Sequence, residues 1–299
     1  MRILITGASG FLGKPLTRSL IARGHEVVAL VRPGTQILEN MKFGDRVFRI
    51  VERDLVGNFD LHDLEGIHAV ITLAQERHFR QFPGDSIRVF DVNVRANLLI
   101  WRWAAQTEVS KIIHASSGSV YQPRNGLEAL TEVDPIRILD PEDFYATSKV
   151  MAEQIFSLFR DQSRDLTILR PFFLYGPSQS ADKLVGRLAK SIIEQSEISV
   201  SSSHETHLNP TFIEDAVKIF VDSLELRGHT TVNCAGPSVV SIRELATLIG
   251  AALGVSPRFK EICQSGNSYI GSVKKQSELF GPPKYTVEQG VRLCFQRSG

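Results

Sequence analysis

The sequence has little sulfur, no excess of either charge and no long apolar run. Its three cysteines, Cys234, Cys263 and Cys294, are odd in number and far apart. That pattern fits neither a disulfide framework nor a metal knuckle and suits a reducing compartment. Small buried hydrophobes are the plain reading of all three. With 34 basic and 33 acidic residues, there is no field to draw in nucleic acid or a membrane surface. No apolar stretch approaches the roughly 18 residues that a membrane helix needs. The first strand begins beside Met1, which leaves no room for a secretory leader, and a cytoplasmic location is expected. Repeats, low-complexity tracts and long linkers are absent as well. What remains is a 299-residue chain, 42% hydrophobic and 22% charged, as expected of one large or two interleaved globular domains.

The chain is organised around its first 32 residues. Residues 2–6 form a short apolar run that opens directly onto glycines, the pattern of a buried parallel strand. Gly7, Gly10 and Gly13 follow at three-residue steps. Residues 12–23 carry apolar side chains at helical spacing, stopped by Gly24, and residues 26–31 make a second strand. Strand, glycine turn, helix and strand in this order predict a phosphate-cradling βαβ unit. Gly7 permits a tight turn, Gly10 lets backbone approach a pyrophosphate, and Gly13 lets the helix pack close. The positive end of the helix dipole then faces the anion.

The spacing Gly-x-x-Gly-x-x-Gly resembles the extended branch of the short-chain dehydrogenase/reductase superfamily, the nucleotide-sugar epimerase-like group. That resemblance implies an α/β fold, a doubly wound parallel sheet of Rossmann type, with a smaller C-terminal substrate-binding part. It also implies a cofactor cradle of Gly7, Ser9, Gly10, Phe11, Leu12 and Gly13. An acid at the end of the second strand usually binds the adenosine ribose of NAD. Val31 and Arg32 stand there instead. Arg32 can meet a 2′-phosphate, so NADP(H) is the preferred cofactor and NAD(H) the alternative. A solvated surface charge is the other reading of Arg32.

Further along, residues 46–52 and 68–73 read as strands. Asp54 and Leu55 follow the first, where the resemblance puts an acid near the adenine; an exposed loop carboxylate is an equal reading of Asp54. Thr72-Leu73-Ala74 ends the second, a partial match to His-x-Ala-Ala, whose backbone passes beside the cofactor. A long amphipathic helix is expected over residues 90–106. In it Asn93 matches the Asn that braces the catalytic region, or is a plain surface amide. After a strand at 111–115 comes Ser116-Ser117-Gly118-Ser119-Val120-Tyr121, similar to Ser-Ser-x-x-Val-Tyr-Gly. Ser117 takes the catalytic Ser/Thr position, and Ser116 is expected closer to the cofactor.

A Pro-punctuated loop is expected over residues 131–141. Tyr145 and Lys149 then lie four apart, so a helix puts both on one face. A free tyrosine titrates near 10, and a neighbouring ammonium favours its phenolate. The resemblance makes Tyr145 the acid/base, Ser117 the group that orients the substrate oxygen, and Lys149 the group that tunes Tyr145 and holds the nicotinamide ribose. Proton transfer through Tyr145, with hydride transfer at the nicotinamide, interconverts an alcohol and a ketone. A surface helix contact is the bland reading of the pair.

A strand is expected over residues 166–171. Beyond it, residues 170–177 resemble Arg-Pro-x-Asn-x-Tyr-Gly-Pro, with Pro171 beside the cofactor. Phe173 replaces the Asn that helps bind a nucleotide-sugar diphosphate, which keeps open a substrate without one. Lys183, Arg187 and Lys190 could meet phosphates or form a solvated face. Residues 199–209, with His204 and His207, suggest a substrate-shaping loop rather than a metal site. Asp215 is expected to cap a helix, residues 231–235 form another strand, and Ser241 with Glu244 forms a capping box. The expected division is a dinucleotide-binding domain over residues 1–175 and a substrate-binding part over 176–299, with 211–236 returning to the first.

The functional expectation is a 4-ketoreductase acting on a nucleotide-linked sugar. A 4-epimerase that retains its cofactor is the first alternative, and a non-catalytic NADP(H)-binding sensor or scaffold is the second. Gly118 and Ser119 stand where the family's 4,6-dehydratases carry Asp-Glu, which disfavours dehydration. No metal, nucleic acid or membrane is expected as partner, and the resemblance implies a homodimer.

Overall fold

The computed structural model describes residues 1–35, 48–76, 79, 82–137, 143–158, 164–264 and 266–295. Two residues of the expected strand at 46–52 and the end of the expected loop at 131–141 lie outside them.

Except at the edge strand, where Arg49 and Glu52 are exposed, the apolar, β-branched runs become strands buried on both faces, as a parallel sheet covered by helices requires. They are β1 (Arg2–Thr6), β2 (Glu26–Val31), β3 (Phe48–Glu52), β4 (Ala69–Thr72), β5 (Lys111–Ala115) and β6 (Asp165–Pro171). With β9 (His229–Cys234) they make one seven-stranded sheet, ordered β3-β2-β1-β4-β5-β6-β9. Pairing is parallel and in register, for example Ile3 with both Val27 and Ala69. The order reverses between β1 and β4, the switch point at whose carboxyl edge doubly wound sheets bind ligands.

The helices of this half are α1 (Gly13–Ala22), α2 (Ser86–Phe90), α3 (Ala96–Ala105) and α4 (Phe144–Leu158). Leu4, Val28, Val70 and Ile112 of the sheet share a buried cluster with Ile100, Trp101 and Trp103 of α3 and Phe156 of α4. Trp101 meets Phe156 edge-on, with ring centroids 6.0 Å apart. The expected single helix over 90–106 differs from the structure. It begins earlier, at Ser86, and carries a π-helical turn at Asp91–Arg95.

The chain divides into two compact units: residues 1–120, 136–169 and 220–231, and residues 121–135, 170–219 and 232–299. Residues 121–135 join the second because their backbone pairs there: Arg124 N–H donates to Ser268 O at 3.1 Å and Leu130 N–H to Ile270 O at 2.7 Å. The second unit holds β7 (Glu197–Ser201) paired with β11 (Arg258–Ile262), and β8 (His207–Leu208) paired with β10 (Val240–Ser241). Around them lie α5 (Leu184–Ile193), most of α6 (Ile213–Asp222), α7 (Ile242–Leu253), α8 (Lys274–Phe280) and α9 (Val287–Phe295). The capping box stands at Ser241 and Glu244, and Gly254 ends α7 at φ +70°. Asp215 does not cap its own helix. It lies inside the first turn of α6, and its carboxylate accepts from the N–H groups of Lys284 at 2.9 Å and Tyr285 at 3.1 Å.

The βαβ unit depends on backbone contact at Gly13, where an added Cβ would sit 2.1 Å from Gly7 O and 2.7 Å from Ala8 Cα. Both are main-chain atoms and cannot move aside cheaply. Gly13→Ala is expected to cost about 1–3 kcal/mol, the usual penalty of overpacking. Denaturant unfolding checks this, and a wild-type midpoint for the variant contradicts it.

Candidate active site

At the carboxyl edge of the sheet, Thr6 ends β1 and fastens the segment that follows β4. Its hydroxyl accepts from the N–H groups of Leu73 at 3.2 Å and Ala74 at 3.1 Å. Gly7 comes next at φ +71°, and a Cβ there would lie 2.9 Å from Ala74 N. The glycine turn therefore lies against the backbone of Leu73 and Ala74. Gly10 is exposed on its outer side: among the described residues a Cβ there would meet Gly7 O at 3.1 Å and otherwise open space. Ser9 and Phe11 beside it are half-buried, and Leu12 and Gly13 are buried. α1 starts with no acidic residue in its first turn and no side-chain cap at Leu12. An approachable backbone at the uncapped positive end of a helix fits a dinucleotide pyrophosphate.

The rim of the sheet beyond β2 and β3 adjoins this turn. Arg32 is exposed just past β2. Glu52, at the end of β3, accepts from Gly34 N–H at 3.1 Å, so a carboxylate does reach this rim from the neighbouring strand. Asp54 is exposed and turns its carboxylate onto Val56 N–H at 3.0 Å, while Leu55 is buried.

The structure brings Ser117, Tyr145 and Lys149 into the same unit. Ser117 leaves β5 half-buried, and its Oγ accepts from Ser119 N–H at 3.1 Å and from Ser119 Oγ at 3.0 Å. Ser117 can then direct its own proton to a substrate oxygen. Tyr145 and Lys149 are one turn apart on α4. The Tyr145 hydroxyl donates to Gln75 Oε1 at 3.1 Å, and its ring lies 4.3 Å from that of Phe79. Lys149 Nζ donates to Ala115 O at 2.9 Å and lies 6.0 Å from the Tyr145 ring centroid.

Lys149 is 4% exposed. Burial pushes its ammonium down to about 8, against the pull of the Glu153 carboxylate one turn further along. Glu153 is itself buried and accepts from the Ser116 hydroxyl. Ser116 thus turns its hydroxyl to Glu153. Next to Lys149, His114 is held well below the usual histidine value by burial and then by the Lys149 charge. Its Nδ1 pairs with Thr72 Oγ1 at 2.8 Å, and it is neutral.

Asn93 lies in the π turn and ties two segments to α4. Its Oδ1 accepts from Glu76 N–H at 3.2 Å, and its Nδ2 donates to Ser148 Oγ at 3.0 Å. Ser148 Oγ in turn donates to Tyr145 O at 2.7 Å. Pro171 belongs to the second unit, as does Phe173 at φ +43°. That left-handed backbone suits an Asn, and for an ordinary residue it costs roughly 1–2 kcal/mol. The Phe173 ring is exposed and meets Tyr269 edge-on at 6.2 Å. Lys183 and Lys190 pair with Asp182 at 3.2 Å and Glu194 at 3.8 Å, as a solvated face would.

Gln75, Glu52, Ser148 and Glu153 were not singled out in the sequence. Glu153 had a signal, since it follows Lys149 at the same four-residue step. Gln75 and Glu52 had none, because a loop sets the reach of the first and the pairing of β3 with β2 that of the second.

The family model for the NAD-dependent epimerase/dehydratase family matches residues 3–235. The chain belongs to that family. It is a family of enzymes, and the fold and the resemblance read from the glycine turn agree with it. A UDP-glucose 4-epimerase of Mycolicibacterium smegmatis is 26% identical, over 97% of this chain and 96% of that protein. A dTDP-4-dehydro-6-deoxy-D-allose reductase of a Streptomyces species is 28% identical, over 86% of this chain and 83% of that protein. In structure, the UDP-glucuronic acid 4-epimerase of Bacillus cereus, solved with UDP-glucuronic acid and NAD, superposes with a TM-score of 0.84. It shares 23% identity, with 99% of this chain and 98% of that one covered, and so speaks for the fold.

Lys149 supplies a pH test. Unfolded lysine keeps its proton to roughly 10.4, whereas folded Lys149 releases it near 8. Between those values the unfolded state holds more protons, so this group makes stability rise with pH. Lys111 is lowered to about 8 as well, by burial, so only a difference isolates Lys149. The unfolding free energy of wild type minus that of Lys149→Met should increase with pH across that window. A gap independent of pH contradicts the shift.

Proposed function

We propose that this family member is an NAD(P)-dependent oxidoreductase that interconverts an alcohol and a ketone on a nucleotide-linked sugar, as a 4-ketoreductase preferring NADPH. The observation that carries this reading is the Tyr145 phenol one helical turn from the buried Lys149 ammonium. When bound, the nicotinamide supplies or accepts the hydride. In the reducing direction, Ser117 holds the substrate carbonyl oxygen and Tyr145 gives it a proton. Lys149 holds the ribose hydroxyls and stabilises the phenolate that forms. Gly118 and Ser119 supply neither the acid nor the base that dehydration needs.

Arg32, exposed at the end of β2, favours the 2′-phosphate of NADPH and so a reductase. A specific observation favours a second reading, an epimerase that keeps NAD. The Glu52 carboxylate on Gly34 N–H stands at the same rim and can serve the adenosine ribose as the missing acid would. The exposed Phe173 supports a third option for the substrate, one whose group at that position is apolar rather than a diphosphate. For assembly we favour a homodimer, with Ile87 at 76% exposure and Phe90 at 43% offering apolar surface on α2.

Purified protein mixed with NADPH and nucleotide-linked 4-keto-sugars separates these readings. Stoichiometric NADPH loss is expected, with Tyr145→Phe lowering kcat by about 10²–10⁴-fold while NADPH still binds. Inversion of a nucleotide sugar without net loss favours the epimerase. Neither reaction, with NADPH binding indifferent to Tyr145→Phe, contradicts the catalytic reading and favours the sensor.

A further inference from the structure

Gln75 contacts the phenol that the proposed reaction turns on, and no sequence motif accounts for it. It follows Thr72-Leu73-Ala74 and so occupies the final Ala of the His-x-Ala-Ala pattern. Its side chain reaches Tyr145, whose hydroxyl donates to Oε1 at 3.1 Å. The backbone on both sides is fixed: Ala74 N–H is held by Thr6 Oγ1 at 3.1 Å, and Glu76 N–H by Asn93 Oδ1 at 3.2 Å. From this anchored position the amide meets the phenol, whose ring also packs on Phe79, and both partners are half-buried.

The chemistry of an amide suits the task. Its oxygen accepts from a neutral phenol, and after a half-turn about the last torsion its nitrogen donates to a phenolate. An alanine could do neither, and a carboxylate could only accept. We propose that Gln75 is a positioning residue that keeps the Tyr145 oxygen aimed at the substrate through both of its protonation states. When an alcohol is oxidised, its hydroxyl proton passes to the Tyr145 phenolate while the carbon's hydride passes to the oxidised nicotinamide. The new phenol O–H then finds Gln75 Oε1. In reduction the phenol proton leaves for the substrate oxygen, and Gln75 Nε2 donates to the phenolate left behind. The proposal rests on Tyr145 being the acid/base.

The test compares the pH dependence of kcat/KM for wild type, Gln75→Ala, Gln75→Glu and Tyr145→Phe, using NADPH and the 4-keto-sugar that the protein turns over. Thermal unfolding and NADPH binding serve as checks on folding. Gln75→Glu, nearly isosteric, should move the limb assigned to Tyr145 upward by about one pH unit, because a carboxylate repels the phenolate. Gln75→Ala should lower kcat about tenfold with KM within about twofold, the mark of an interaction used beyond ground-state binding. A merely structural glutamine would leave the limb in place. If Tyr145→Phe is inactive and folded Gln75 variants keep the wild-type midpoint and kcat, the proposal is overturned and the acid/base reading survives. If Tyr145→Phe turns over like wild type, the acid/base reading falls and the proposal falls with it.

Discussion

A buried ammonium organises this site. Lys149 is withdrawn from water under α4, with Ala115 O as hydrogen-bond partner and Glu153 one turn away. An unpaired charge in such a place would be costly, so its surroundings must compensate. Three neighbouring features do so. The end of β5 offers a carbonyl, Ser116 fixes the compensating carboxylate, and His114 stays neutral and adds no competing charge. The same turn of helix that buries Lys149 carries Tyr145 to the carboxyl edge of the sheet. One helical turn thus sets both the place of the phenol beside Gln75 and the burial of the amine.

The glycine turn and the catalytic face are joined by the short segment after β4. Thr6 grips it from the β1 side at Leu73 and Ala74, and Asn93 grips it from the helical side at Glu76. Asn93 also reaches α4 through Ser148. The place where a pyrophosphate would rest and the place where a proton would move are therefore held in register by side-chain hydrogen bonds to backbone. A π turn at Asn93 is a local departure of the kind that clusters at functional sites.

Much of this was legible in the chain. The first strand, the glycine turn and the first helix were readable because local chemistry fixes them: an apolar β-branched run, three glycines and a helical period. The Tyr145–Lys149 face followed from the helical repeat. The π turn was not legible, since it falls at the very start of the apolar period read over residues 90–106 and leaves the period after it intact. Asp215 looked like a cap because it stands near a helix start, but a distant backbone segment took its carboxylate. Residues 121–135 followed long-range pairing with 268–271, which no local signal announces. Phe173 was visible as a departure from the family pattern, while its left-handed backbone was not.

The proposed reaction requires the Tyr145 phenol and the Ser117 hydroxyl to meet at one substrate oxygen beside the nicotinamide, with the Lys149 amine behind the phenol. A crystal structure with cofactor and an unreactive substrate analogue tests it most directly. The Tyr145 oxygen is expected within about 2.6–3.2 Å of the analogue's oxygen and the nicotinamide C4 about 3–3.5 Å from the carbon bearing it. A nicotinamide ring turned away from Tyr145, with the analogue's oxygen out of hydrogen-bond reach of both Tyr145 and Ser117, would contradict it.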